Sequence, residues 1–89
     1  MQRISAASDG TGYLIGLGRA IRALRKERGL SQEVLAHEAR IDRSHMGKIE
    51  RGERNVTILN ILRICEVLKW SPSQLLARAE AGNGNGSGS

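Results

Sequence analysis

The sequence predicts an all-α fold of five short helices, and three observations predict it. No stretch alternates apolar and polar residues with the period of two that a half-buried strand requires. Apolar residues recur instead at three- and four-residue steps, which line one face of a helix. Four helix starts also share one device: an apolar residue, a polar capping residue, and a second apolar residue four positions after the cap. At 89 residues the chain has the size of one domain. A domain this small buries only about 60% of its unfolded surface, so its core must be dense or shared with a partner.

The elements follow in order. Residues 1–12 are polar, small and punctuated by glycine, and read as an irregular arm. The first helix spans Tyr13 to Arg28, with Leu17, Ile21 and Leu24 on one face and Arg19, Arg22, Lys26 and Arg28 over much of the rest. Gly29 stands where a glycine just past the last turn stops a helix. The second start has Leu30, Ser31 and Leu35 in the staple positions, and the third has Ile41, Asp42 and Met46. Val56, Thr57 and Ile61 open the fourth, and Trp70, Ser71 and Leu75 the fifth. Pro72 falls on the first helical position, which tolerates a missing N–H, and Gln74 completes a capping box with Ser71. The fourth helix, Ile58 to Trp70, is the most apolar. Its expected core stripe is Ile58, Ile61, Leu62, Cys65 and Leu68, while Leu59, Ile64, Val67 and Trp70 carry apolar character around the cylinder. Such a helix is either the buried centre of the domain or shares its second face with another subunit. The domain is thus expected over 13–81. Residues 82–89 are only Gly, Asn and Ser, and are expected to form a flexible tail.

Lys and Arg outnumber Asp and Glu by 14 to 9, and eleven of the fourteen are arginine. That side chain presents a bidentate fork to phosphate and to guanine, so the balance suits a polyanionic partner. Only Tyr13 and Trp70 are aromatic, which argues against single-strand binders and RNA-binding sheets that stack bases on aromatic platforms. The lone cysteine, Cys65, rules out an internal disulfide and reads as a small buried hydrophobe. His37 and His45 lack a Cys or carboxylate at ligand spacing, so neither a metal nor a cofactor is expected. Gly12, Gly16 and Gly18 follow no strand and precede no Lys-Ser or Lys-Thr, so they are not read as a phosphate cradle. A catalytic pocket is hard to build in so small a helical domain, and no enzymatic activity is expected. With neither a signal-peptide core nor an apolar run long enough to span a bilayer, the expected setting is cytoplasmic, with no membrane partner.

The informative stretch is Gln32 to Arg51, QEVLAHEARIDRSHMGKIER. Two helices crossing steeply through a short turn need a small residue where the backbones approach, and Ala36 supplies it. Leu35, Ala39, Ile41, Met46 and Ile49 stand where inward apolar residues are required, while Arg43, Ser44, His45, Gly47 and Lys48 form the outer face of the second helix. Together with IRALRKERGLSQEVLA, KIERGER and SPSQLL, this stretch resembles the lambda-repressor-like, or Cro/C1-type (XRE family), helix-turn-helix domain, over roughly Leu14 to Leu76. Small members of that family include phage repressors, restriction-modification controller proteins and antitoxins.

The resemblance implies a role for each matching position. Gln32 opens the first helix of the motif and is expected at a DNA phosphate, and Arg51, Arg54 and Asn55 match the loop that grips the phosphate backbone. Arg43, Ser44 and Lys48, with His45 beside them, match positions that meet base edges in the major groove, Arg43 being best suited to guanine. Arg25 and Glu50 match a pair that bridges the first helix to the recognition helix. One departure is Arg40, at a turn position where the family usually has glycine in a left-handed conformation. One recognition helix reads only a few base pairs, too few to single out one site, so a dimer that places two such helices about 34 Å apart is expected. Leu59, Val67, Trp70, Leu75, Leu76 and Ala79 are the expected dimer seam. The resemblance thus implies a homodimeric repressor or autoregulator bound to a palindromic operator, whose docking can block or recruit RNA polymerase. The alternative is an antitoxin that binds a toxin protein and its own operator. A third reading is a DNA-targeting module cut from a longer chain, with the tail as a linker.

Overall fold

The computed structural model describes residues 9–84 of the chain. Those residues form five helices and no strand: α1 (Tyr13–Glu27), α2 (Gln32–Ala39), α3 (Arg43–Glu50), α4 (Ile58–Leu68) and α5 (Pro72–Gly84). The expected starts are where the caps stand. Ser31 Oγ accepts the Val34 N–H at 3.0 Å, Thr57 Oγ1 accepts the Asn60 N–H at 3.1 Å, and Asp42 accepts two N–H groups of α3. The capping box of α5 is reciprocal: the Gln74 N–H donates to Ser71 Oγ at 3.2 Å and the Ser71 N–H to Gln74 Oε1 at 2.9 Å. Both members of each staple lie at the core as well. Leu35, Met46, Ile61 and Leu75 are buried, and Leu30, Ile41, Val56 and Trp70 pack on the core behind their caps.

Helix ends are less legible than starts. Gly29 does stop α1, at φ 71°, with the Leu30 N–H reaching Arg25 O at 3.0 Å and the Gly29 N–H reaching Lys26 O at 3.0 Å. The fourth helix, expected to reach Trp70, ends two residues earlier. Lys69 turns left-handed at φ 62°, and the Trp70 N–H closes onto Cys65 O at 3.2 Å. Trp70 is needed as the apolar residue before the α5 cap, and a side chain continuing α4 could not reach that position. The expected tail also starts too early, because α5 continues through Gly84. Once a helix is nucleated, each added residue gains one hydrogen bond, so even glycine extends it for about 1 kcal/mol less than alanine would. Residues 85–89 of the expected tail and 1–8 of the expected arm lie outside the described residues.

The core gathers Leu17, Ile21 and Leu24 of α1, Leu35, Ala36 and Ala39 of α2, Met46 and Ile49 of α3, and Leu75 and Ala79 of α5. The stripe on α4 differs from the expected one. Ile61, Ile64, Cys65 and Leu68 are buried, whereas Ile58 and Leu62 are 68% and 45% exposed. Both stripes have helical spacing, so the sequence permits either. Contacts with α2 on one side and α5 on the other select the face that carries Ile64. Burial pushes the Cys65 thiol above its ordinary pKa, consistent with a packing role.

Helix α1 runs along α5 and also packs on α3, while α2 contacts both α3 and α4. Gly18 permits the α1–α3 approach, since a Cβ there would stand 2.6 Å from Ile49 O and closer still to Glu50 O. Polar links join the two ends of α1 to the middle of α5. The Tyr13 hydroxyl donates to Glu80 Oε2 at 2.7 Å, Arg78 Nη2 meets Glu27 Oε2 at 2.8 Å, and the same guanidinium lies 5.7 Å from the centre of the Trp70 ring. The scaffold therefore supports α2 and α3 from behind and leaves their outer faces open.

Candidate nucleic-acid interface

The corner between α2 and α3 is built from the residues whose spacing suggested it. Ala36, Ala39, Ile41, Met46 and Ile49 are all buried. Arg40 takes the left-handed conformation usual for glycine, at φ 59° and ψ 44°. It is held there by its own N–H to His37 O at 3.1 Å and by the Ile41 N–H to Ala36 O at 2.9 Å. A non-glycine residue in this region costs about 1 kcal/mol, which the two closing bonds and the burial of Ile41 offset.

The start of α3 is exposed at Arg43 and Ser44 and half-buried at His45 and Lys48. These four expected base-contact residues therefore lie on and around one outer face. Asp42 organises it. Its Oδ2 accepts the Ser44 hydroxyl at 2.6 Å, the Ser44 N–H at 3.1 Å and the His45 N–H at 3.3 Å. With its proton committed to Asp42, the Ser44 hydroxyl turns its lone pairs outward, where they can accept from an exocyclic amine of adenine or cytosine. Donation from the Ser44 hydroxyl, then from the His45 N–H, holds the Asp42 carboxyl below the usual carboxylate range. Because the folded-state value is depressed, the stabilisation is complete above the unfolded pKa of about 3.9 and is lost as pH falls through the lowered value. Asp42→Asn retains a capping oxygen but does not titrate, so below pH 4 its stability should fall less steeply than the parent's in a pH series of thermal melts.

Behind this face lies a buried polar network. Arg25 Nε and Nη2 donate to Glu50 Oε2 and Oε1 at 2.8 and 3.0 Å, and Arg25 Nη1 donates to Leu30 O at 3.0 Å. The expected structural pair is present, with Arg25 and Glu50 side chains only 10% and 3% exposed. Sequence reasoning did not anticipate a third partner: Gln32 Nε2 also donates to Glu50 Oε1, at 3.0 Å. A carboxylate accepts only, so this bond fixes which way round the Gln32 amide sits. Gln32 and Glu50 are eighteen residues apart, with no local pattern to mark them. The other expected phosphate residues, Arg51, Arg54 and Asn55, are exposed in the loop after α3. Arg51 meets Glu53 through Nε and Nη2 at 3.0 and 3.3 Å, a second pairing the sequence reading missed, although the two residues stand close in sequence.

The expected dimer seam needs correction. Leu75 and Ala79 are 0% and 2% exposed, because the chain's own core uses them, and they have no surface to offer a partner. Val67, Trp70 and Leu76 are half-buried against that core. Leu59 is 64% exposed, and Ile58 and Leu62, assigned to the core from sequence, join it on the open side of α4.

Among the described residues, no group of His, Cys, Asp and Glu is placed to hold a metal ion, and no helix is long and apolar enough to cross a membrane. What the fold and this surface define is a helix-turn-helix domain, and the helix-turn-helix family pattern matches residues 21–75. The chain belongs to that family, in its Cro/C1-type branch. It is 36% identical over 70 residues to control protein C.SmaI of Serratia marcescens, covering 79% of this chain and 83% of that one. Among solved structures, it is similar to the restriction-modification controller protein C.AhdI of Aeromonas hydrophila, with 45% identity, a TM-score of 0.68, and coverage of 70% of this chain and 94% of that one. It is also similar to controller protein C.Esp1396I, solved as a tetramer in complex with its natural 35 base-pair operator. That match has 30% identity, a TM-score of 0.72, and coverage of 80% and 93%.

Proposed function

We propose that this chain is a sequence-specific, double-stranded-DNA-binding regulator of transcription that sits as a homodimer on an operator with two-fold symmetry. The observation that carries the reading is the outer face of α3, where Arg43, Ser44 and Lys48 stand on a helix fixed from behind by the Arg25–Glu50–Gln32 network. Arg43 and Lys48 supply donors for guanine, and Ser44 supplies an acceptor. Gln32 and Arg51 share a surface notch with that face, and Arg54 and Asn55 are exposed in the loop that follows α3, as groups for the phosphate backbone. Ile58, Leu59 and Leu62 give the seam that pairs two copies. The relatives support this use, being control proteins, one of them in complex with its operator. A role in controlling a restriction-modification system, by autoregulation, is the corresponding biological setting. The chain then works in the cytoplasm, as a binding protein and not an enzyme. The antitoxin alternative draws no support from these relatives, none of which is described as one.

Selection of bound duplexes from a random pool tests the proposal. A symmetric consensus is the expected result, and no preference over bulk competitor at physiological salt would sink it. Two substitutions then separate the kinds of contact. Arg43→Ala should relax preference at one base position, at a cost of about 1–3 kcal/mol. Arg54→Ala should weaken all duplexes alike and lower the salt slope by about one.

A further inference from the structure

The glycines of this chain are not equivalent, and the contrast between two of them isolates a function for one. At Gly18 a side chain would run into the α3 backbone, so its absence is a packing requirement. Gly47 lies in the middle of α3 within ordinary helix and is also buried, yet nothing of the backbone stands over it. A Cβ there would meet Arg51 Nη1 at 3.2 Å and Gln32 Oε1 at 3.3 Å, with Gln32 Cδ next at 3.9 Å. What covers this glycine is thus the tips of two long side chains, one arriving from the start of α2 and the other from the end of α3.

Each tip is held from its far side. Glu50 accepts from Gln32 Nε2, which leaves the amide oxygen toward Gly47. Glu53 takes the Nε and Nη2 edge of Arg51, which leaves Nη1 toward the same point. Gln32, Arg51 and Gly47 line a single notch in the surface, together with Arg43, Ser44 and Lys48.

We propose that Gly47 is a positioning residue for DNA binding: its bare Cα lets Gln32 and Arg51 lie down across the recognition helix, and so sets where these two groups meet the DNA backbone. This rests on the functional reading above, which makes α3 the recognition helix. A helix-interior glycine loses more chain entropy on folding than alanine, so stability alone favours alanine here. The added methyl has only flexible tips to displace, and the fold can take it. Binding cannot take it as well, because both phosphate-side groups must lift by some tenths of an ångström.

The test is Gly47→Ala in the full chain, read by melting and by titration of a selected operator duplex over a range of salt. Its melting temperature should be unchanged or higher by roughly 2–6 °C. Operator and non-specific duplexes should both bind roughly tenfold more weakly, as expected for misplacing charge-assisted contacts, with a reduced salt slope. In an Arg51→Ala background the same change should weaken binding only about threefold, because one of the two displaced groups is already gone and only Gln32 is left to move. Gly18→Ala serves as the contrast and should lower the melting temperature sharply. Unchanged affinity in Gly47→Ala, full additivity with Arg51→Ala, or a fall in melting temperature like that of Gly18→Ala would each overturn the proposal. A parent chain that binds no duplex selectively would instead overturn the functional reading, so the two failures are distinguishable.

Discussion

Glu50→Ala should destabilise the domain by about 3–5 kcal/mol, a large fraction of the roughly 5–15 kcal/mol that holds a small protein folded. The Glu50 carboxylate accepts from Arg25 twice and from Gln32 once in a site only 3% exposed, so its removal strands a buried guanidinium with little water within reach. Thermal or urea unfolding of Glu50→Ala measures the loss, and a change below about 1 kcal/mol would mean that the pair behaves like an exposed one. Replacing both partners by apolar residues of similar size, as in Arg25→Met with Glu50→Leu, leaves no charge stranded and should restore most of the stability. It should not restore DNA binding, because Gln32 loses the acceptor that orients its amide. Stability without binding in the double variant would separate the two tasks of this network.

Leu59→Asp with Leu62→Asp should leave the melting of the isolated chain nearly unchanged, since the two side chains are 64% and 45% exposed. Their effect should fall on association. Two carboxylates facing two more across a two-fold seam introduce repulsion and desolvation where apolar contact was available. Sedimentation across the micromolar range should then show a monomer where the parent shows a dimer. Loss of the second recognition helix removes its avidity, and operator affinity should drop on the order of a hundredfold. If the parent is itself a monomer at every concentration, or if the variant still binds a symmetric operator as the parent does, the open face of α4 is not the seam.

The two variants probe features of unequal legibility in the sequence. Nothing in the local pattern joins Arg25 and Glu50 across 25 residues, and the family resemblance alone pairs them. The open apolar face of α4 is half legible in the sequence. Excess apolar surface on the fourth helix is plain from composition, but helical spacing alone suits Leu75 and Ala79 to a partner and Ile58 and Leu62 to the core. The structure buries Leu75 and Ala79, because α5 turns them inward onto α1 and α4, and leaves Ile58 and Leu62 exposed. The Gln32–Glu50 bond and the Arg51 tip over Gly47 were not legible at all, since each depends on where long side chains end in space.

By itself the sequence determined the number of helices, the position of each start, and the corner that presents α3. Caps, staples and the α1 stop act within a few residues, through hydrogen bonds and local contacts that the order of residues specifies. Tertiary structure decided the facing of α4, the end of α4 at Leu68, and the network behind α3. Those outcomes depend on competition among several apolar faces for one core, and a helix whose residues would suit either orientation takes the one its neighbours leave room for.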